Sequence, residues 1–250
     1  MECNGSFGPG FRYELHAVES VIPVLMDNEK LKKLLARFVE DNPDLKFLPE
    51  DIQYQKSCLK IHGKPTLLSF LMCGLYPQSV FPQLAIIASH VPGRYMGSMD
   101  ERTGVYFLDS KRIEGTLDEM LEGAMRFVER NIQVDSSTGA PEYSDVAIRE
   151  ALLNALVHRD YSVYTEGRPI QLIMFSDRME IRNPVKESGN ESSDLRNCLI
   201  MKAMELMGIA ENMQLGMARM QEAQRRYGLP EPVFETRYGE FIVTLHKSAR

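Results

Sequence analysis

Three polar side chains recur at four-residue intervals between Arg149 and Tyr161. Glu150, Asn154 and His158 place a carboxylate, a carboxamide and an imidazole on one face of a predicted helix. The opposite side is apolar and carries Leu152, Leu153, Leu156 and Val157. The pattern has two interpretations: a stripe of functional groups that do chemistry together, or the solvated face of an amphipathic helix. Spacing by itself leaves both open.

Two common nucleotide-binding motifs are excluded. The string His158-Arg159-Asp160 is similar to the start of the protein-kinase catalytic loop, but Thr165 stands where a kinase has its magnesium-binding asparagine. The chain also has no G-x-G-x-x-G, no V-A-I-K and no G-x-x-x-x-G-K-[ST]. The sequence therefore describes neither a protein kinase nor a P-loop enzyme.

Composition limits the remaining classes. The chain has 250 residues, of which 44% are hydrophobic and 26% charged, as in ordinary globular proteins with one large or two small domains. A net charge of -6 repels nucleic acid over most of the surface, so DNA binding by this chain alone is not expected. The sequence shows no signal peptide and no run of 18 apolar residues, which predicts a cytoplasmic protein without a membrane partner.

Hydrophobic spacing predicts the elements that position the polar stripe. Strands are expected at 84–91, 169–175 and 178–182, and a hairpin around Gly239. Helices are expected after an Asn28 cap, at 66–75, after the capping box that begins at Thr116, after Ser144, and near 196–207 and 212–227. The segment 186–194 has no apolar side chain and is expected to be a loop. Together these elements predict an α+β fold with helices on a mostly antiparallel sheet.

Five motifs follow one another in the second half of the chain: AIREALLNALVHRDY, GRPIQLIMFSDRMEIRNP, LRNCLIMKAMELMGIAE, LGMARM and GLPEPVFE. In this order they resemble a family of bacterial and archaeal transcriptional regulators. The C-terminal half of that family is a Bergerat-type ATP-binding domain, as in gyrase-type topoisomerases and histidine kinases. The upstream strings GKPTLLSFLMCGLYPQSVFPQ and IEGTLDEMLEGAMRFVERN are similar to the connecting region of the same family. The resemblance spans Leu59 to Leu245.

Three regions are expected. Hydrophobic spacing predicts that residues 1–58, which precede the resemblance, are an N-terminal segment with one amphipathic helix. The resemblance implies that 59–135 form a small α/β connecting region and 136–250 a degenerate Bergerat-type α/β sandwich. The Schlafen/AlbA-like domain that usually precedes these regions in the family is not recognisable here.

The resemblance also implies roles for the polar stripe. Glu150 corresponds to the carboxylate that orients and deprotonates the attacking water. Asn154 corresponds to the ligand of the Mg²⁺ that bridges the phosphates. His158 and Arg159 correspond to the HRDY segment, where a cation either faces phosphate or packs the helix end. ATP and Mg²⁺ are therefore the expected cofactors.

The adenine end of the expected site departs from the family. Relatives have Asn-Pro-Gly-Gly where this chain has NPVK from Asn183, and Gly-Thr-Gly-Ile where it has QLGM from Gln214. Asn183 and Gly216 are retained and are expected to bind the nucleotide. The lost glycines are replaced by Val185, Lys186 and Gln214. Glycine lets the backbone approach a ligand closely, so the losses weaken the ATP prediction and leave the fold prediction intact.

Two functions follow from these observations. The first is Mg-ATP binding by a regulatory protein of the transcriptional-regulator type, with slow hydrolysis or none. The alternative is a non-enzymatic structural or dimerisation module that has lost the nucleotide, whose partner is a second copy of the chain.

Overall fold

The computed structural model describes residues 13–132, 141–162, 165, 167–185, 197–211 and 215–247. Within these ranges the chain has an α+β fold in which helices pack on a six-stranded, mostly antiparallel sheet. The predicted fold class is confirmed in these terms. Its assignment to the Bergerat type stays a prediction.

Seven α-helices form in the described ranges. Their bounds are α1 Asn28–Asp41, α2 Glu50–Lys56, α3 Leu67–Cys73, α4 Leu117–Asn131, α5 Asp145–Val157, α6 Cys198–Leu206 and α7 Gly216–Arg226. No helix in these ranges is both long enough and apolar enough to cross a membrane.

The strands of the described ranges belong to two sheets. A small hairpin pairs β1 Lys60–Ile61 with β2 Lys64–Pro65. The large sheet contains β3 Ile86–His90, β4 Asp109–Ile113, β5 Ile170–Met174, β6 Arg178–Pro184, β7 Val233–Arg237 and β8 Glu240–His246. Its strand order is β4-β3-β5-β6-β8-β7, and only the β3 and β5 pair of this sheet is parallel.

Local sequence signals explain where the helices begin. Thr116 and Glu119 form the predicted capping box at the start of α4, and the Ser144 side chain accepts a hydrogen bond from the Ala147 N–H at the start of α5. The predicted cap of α1 is wrong by one residue. The Asp27 side chain caps that helix by accepting hydrogen bonds from the Glu29 and Lys30 N–H groups, and Asn28 is the first helical residue.

Strand β4 was not anticipated from the sequence, because its central residues Ser110, Lys111 and Arg112 are exposed and polar. It lies at the edge of the sheet beside β3. Its backbone hydrogen bonds to β3 make it a strand, whereas its side chains show no strand pattern. Strand β3, from the predicted connecting region, pairs with β5 from the predicted ATP-binding region. One sheet thus spans both regions, and the boundary between 135 and 136 stays a prediction.

Helix α5 occupies the centre of the fold. It packs against α4, α7 and strand β6, and its apolar residues lie in the main hydrophobic core. The core-facing side chains of the strands alternate as predicted. They are Ile170, Leu172 and Met174 on β5, Met179 and Ile181 on β6, and Val243 and Leu245 on β8. The polar stripe is therefore carried by a helix that is held from several sides. The predicted loop 186–194 lies outside the described residues.

Candidate functional site

Glu150 lies in the second turn of α5 and is buried, with 3% of its surface exposed. Its Oε2 atom lies 3.7 Å from Nη1 of Arg219 on α7. Its Oε1 atom is buried and has no hydrogen-bond partner among the described residues. The solvated-face interpretation is therefore wrong for Glu150, which carries an unsatisfied acceptor in the interior.

Gly216, the first residue of α7, lies directly against the polar stripe. A Cβ atom at this position would lie 2.7 Å from Glu150 Oε1 and 2.8 Å from Asn154 Nδ2. Real Cβ atoms do not approach other atoms this closely, so a side chain at position 216 would displace the ends of the Glu150 and Asn154 side chains. The structure brings Glu150, Asn154 and Gly216 together, and their role in binding a nucleotide stays a prediction.

The surroundings of Glu150 alter its proton affinity. Burial raises the pKa of Glu150 above its ordinary value, and the positive charges of Arg219 and Arg149 oppose this effect. Arg149 is already paired with Glu122 at 2.9 Å, which leaves Arg219 as the cation in contact with the Glu150 carboxylate. A buried carboxylate with a raised pKa suits a general base that must accept a proton near neutral pH.

Asn154 and His158 continue the stripe toward the end of α5. Both are half-buried, and the Asn154 carbonyl accepts the hydrogen bond from the His158 N–H that closes the helix. The Asn154 carboxamide is thus partly accessible to solvent and lies, like the Glu150 carboxylate, against Gly216. An amide oxygen in such a place can serve as a ligand of Mg²⁺.

Asn183 lies near the end of β6 and is buried, with 2% of its surface exposed. Its Oδ1 atom has no hydrogen-bond partner in the described part of the chain. The Asp160 N–H donates to the carbonyl of the following residue, Pro184, at 3.3 Å. This bond joins the end of β6 to the segment that follows α5, so a second buried acceptor lies near the end of the polar stripe.

Arg159 lies inside the protein, with 1% of its surface exposed, beside a cavity of about 10 Å³ lined by apolar residues that include Leu156 and Ile170. Its guanidinium donates to the carbonyls of Thr165 and Arg168, and burial lowers its pKa to about 10. These contacts favour packing of the helix end, which is the second of the two roles considered for Arg159. Its contact with a nucleotide stays a prediction.

Two further residues support the site and were not singled out from the sequence. Asn197 is buried, and its Nδ2 donates to the carbonyls of Val157 (2.8 Å) and Arg159 (2.7 Å), which caps α5. Arg219 lies one helical turn after Gly216. A search at helical spacing from the retained glycine would have found Arg219, whereas nothing local in the sequence indicates a long-range cap by Asn197.

The valine that replaces a family glycine is engaged elsewhere. The Val185 N–H donates to the carbonyl of Gly239 at 3.0 Å, in the turn between β7 and β8. This N–H is therefore already used within the protein. The other replacements, Lys186 and Gln214, lie outside the described residues.

The site fits the expected nucleotide in part. Two buried acceptors, Glu150 Oε1 and Asn183 Oδ1, each need a donor, and a water and an amino group are suitable ones. In the ranges that the structure describes, no group of three or more His, Cys, Asp or Glu residues could hold a metal. A magnesium ion here would need phosphate oxygens in addition to Asn154, which is how Mg²⁺ is usually held at nucleotides.

Comparison with known proteins places an ATPase-type domain in the second half of the chain. Residues 167–245 match the family described as "Putative ATP-dependent DNA helicase recG C-terminal". The match supports an ATPase-type domain. It covers less than half of the chain and includes Asn183, Gly216 and Arg219 but not α5.

One solved structure shares the fold over most of the chain. The DIP2311 protein from Corynebacterium diphtheriae superposes with a TM-score of 0.65 at 17% sequence identity, covering 96% of this chain and 40% of that one. At this identity the similarity shows the fold alone. With 40% of that protein covered, the chain spans less than half of its length. No curated protein matches the chain.

Proposed function

We propose that the chain binds Mg-ATP between α5, the first turn of α7 and the end of β6, as the nucleotide-responsive part of a cytoplasmic regulatory protein. The observation that carries the proposal is the pair of buried acceptors, Glu150 Oε1 and Asn183 Oδ1, which have no partner among the described residues. A buried acceptor without a donor costs about 1–3 kcal/mol, and a bound ligand or its water removes that cost. The regulatory role rests on the resemblance of the motifs.

Each retained residue has a distinct task in this proposal. Asn154 would contribute the oxygen ligand that ties Mg²⁺ to the protein, and Asn183 would accept a hydrogen bond from the base. Gly216 would bring the first N–H groups of α7 toward the phosphates, where the helix N-terminus favours negative charge. His158, at the end of α5, would contact the nucleotide from the solvent side.

Hydrolysis, where it occurs, would depend on Glu150. Its Oε1 would hold a water and accept the proton that this water loses as its oxygen attacks the terminal phosphorus. Bound Mg-ATP supplies the electrophilic phosphorus and a leaving group whose charge the metal neutralises. Burial raises the pKa of Glu150, and the positive charge of Arg219 opposes this effect. We propose that turnover is slow or absent.

Affinity should be modest. The Val185 N–H is already bonded to the Gly239 carbonyl, and the residue has a Cβ that the family's glycine lacks. We therefore expect a dissociation constant of tens of micromolar or weaker, which corresponds to about 6–7 kcal/mol of binding free energy.

Titration calorimetry with ATP, in the presence and absence of Mg²⁺, tests the proposal. The wild-type chain should bind more tightly with Mg²⁺, and Asn154→Ala should remove this dependence because the metal loses its protein ligand. Asn28→Ala, at an exposed position in α1, is the matched control and should behave as wild type. Heat of binding that depends on Mg²⁺ equally in all three proteins would contradict the role of Asn154.

A structural or dimerisation module is the second candidate. The engaged Val185 N–H and the Arg219 side chain that already contacts Glu150 favour it, because both leave fewer groups for a ligand. No heat at millimolar ATP, together with a dimer in sedimentation analysis, would support this candidate over the first.

A further inference from the structure

Arg219 lies between two carboxylates and forms a close ion pair with neither. Its Nη1 lies 3.7 Å from Glu150 Oε2, and its Nη2 lies 3.8 Å from Glu211 Oε2. Both distances exceed that of a charge-assisted hydrogen bond, which is about 2.7–2.9 Å. Nη1 also donates to the Glu211 carbonyl. The guanidinium is thus anchored by the Glu211 carbonyl while both carboxylates lie beyond hydrogen-bond distance, and 35% of its side chain is exposed.

The position of Arg219 relative to Glu150 points to a ligand. The unpartnered Oε1 of Glu150 lies against Gly216, and Arg219 follows one turn later on the same helix. A carboxylate that orients an attacking water must lie beside the terminal phosphate, since water and phosphorus meet there. A guanidinium in contact with that carboxylate is therefore close enough to reach the terminal phosphate by a side-chain rotation.

We infer that Arg219 is the residue that recognises the terminal phosphate, so that the site distinguishes nucleoside triphosphates from diphosphates. The inference rests on the proposed nucleotide site. Arginine suits the task because its planar fork binds two phosphate oxygens at once. A diphosphate lacks the group that lies next to Glu150, so it would leave the contact between Arg219 and Glu150 as it is.

The test measures nucleotide binding and does not depend on ATP hydrolysis. Titration calorimetry with Mg²⁺ and either a non-hydrolysable ATP analogue or ADP is carried out on wild type, Arg219→Met and Arg226→Met. Arg219→Met keeps the apolar stem and removes the charge. Arg226→Met removes an exposed arginine from the same helix, where it pairs only with Glu222 among the described residues, and is the matched control.

The expected result is selective. Arg219→Met should lose about 10- to 100-fold in affinity for the triphosphate analogue, the range for a lost charge-assisted hydrogen bond, and stay within about twofold of wild type for ADP. Arg219→Lys should recover part of the loss, and Arg226→Met should show none. Thermal unfolding of each variant verifies that it is folded.

The failures are distinguishable. Wild-type protein that binds neither nucleotide at millimolar concentration overturns the proposed site and this inference with it. Wild-type protein that binds the triphosphate, with Arg219→Met unchanged or weakened equally for both nucleotides, overturns the role of Arg219 and leaves the proposed site standing.

Discussion

Substitution of Gly216 by alanine tests the closest contact in the candidate site. The new Cβ would lie 2.7 Å from Glu150 Oε1, 2.8 Å from Asn154 Nδ2 and 3.0 Å from Asn154 Oδ1. Three atoms of two side chains would have to move. Glu150 is buried and faces Arg219, so its displacement breaks an ion pair as well. The substitution therefore perturbs the site with a single methyl group.

The magnitude follows from two opposing effects. Alanine favours a helix over glycine by about 0.5–1 kcal/mol, and less than that in the first turn. Overpacking of a tight contact costs about 1–3 kcal/mol. We expect Gly216→Ala to lower the free energy of unfolding by up to about 2 kcal/mol and to weaken nucleotide binding at least tenfold, because both retained polar groups are displaced.

Urea unfolding and nucleotide titration measure these effects. Gly167→Ala is the matched control, since no heavy atom lies within 4 Å of its added Cβ. Its unfolding free energy should stay within about 0.5 kcal/mol of wild type. A Gly216→Ala protein that is more stable than wild type and binds ATP with unchanged affinity would refute the close packing of Gly216 on Glu150 and Asn154.

Three more outcomes follow from buried groups of the site. Glu150→Gln should reduce any ATP turnover by about 10²- to 10⁴-fold with affinity within about twofold, and unchanged phosphate release would exclude the general base. Burial raises the pKa of Glu150 above its ordinary value of 4.5, so the folded state binds this proton more tightly than the unfolded state does. The free energy of unfolding therefore falls as the pH rises from about 4.5 through the raised pKa. Urea unfolding should thus show Glu150→Gln more stable than wild type at pH 7, with the advantage lost below about pH 4.5; an advantage independent of pH would contradict the raised pKa. Asn197→Ala should cost about 2–5 kcal/mol in the same assay, because it leaves two buried carbonyls unpaired, and a cost below about 1 kcal/mol would contradict its capping role.

The fold was largely predictable because its signals are local. The Thr116 capping box, the Ser144 cap and the alternation along Ile170 to Met174 each depend on residues a few positions apart. Strand β4 was missed for the opposite reason. Its polar side chains carry no pattern, and only pairing with β3, distant along the chain, makes it a strand.

The candidate site was predictable only in part. The i, i+4 spacing predicts that Glu150 and Asn154 share one face of the helix, but it cannot show whether that face is buried. The burial of Glu150 involves the start of α7, which lies more than 60 residues away in sequence. The engaged Val185 N–H and the cap by Asn197 are likewise long-range contacts that no local pattern encodes.

The energetic cost of the buried acceptors distinguishes a binding site from a purely structural module. Glu150 Oε1 and Asn183 Oδ1, unpartnered in the described part of the chain, would together cost about 2–6 kcal/mol, a large part of the 5–15 kcal/mol that stabilises a typical domain. In a module without a ligand, Glu150→Leu and Asn183→Leu would remove this cost and raise the melting temperature of the protein. In a nucleotide site the same changes would remove binding, and saturating Mg-ATP would stabilise the wild type but neither variant. A melting series with and without Mg-ATP on these three proteins separates the two functions, because only a nucleotide site predicts that Mg-ATP raises the melting temperature of the wild type and of neither variant.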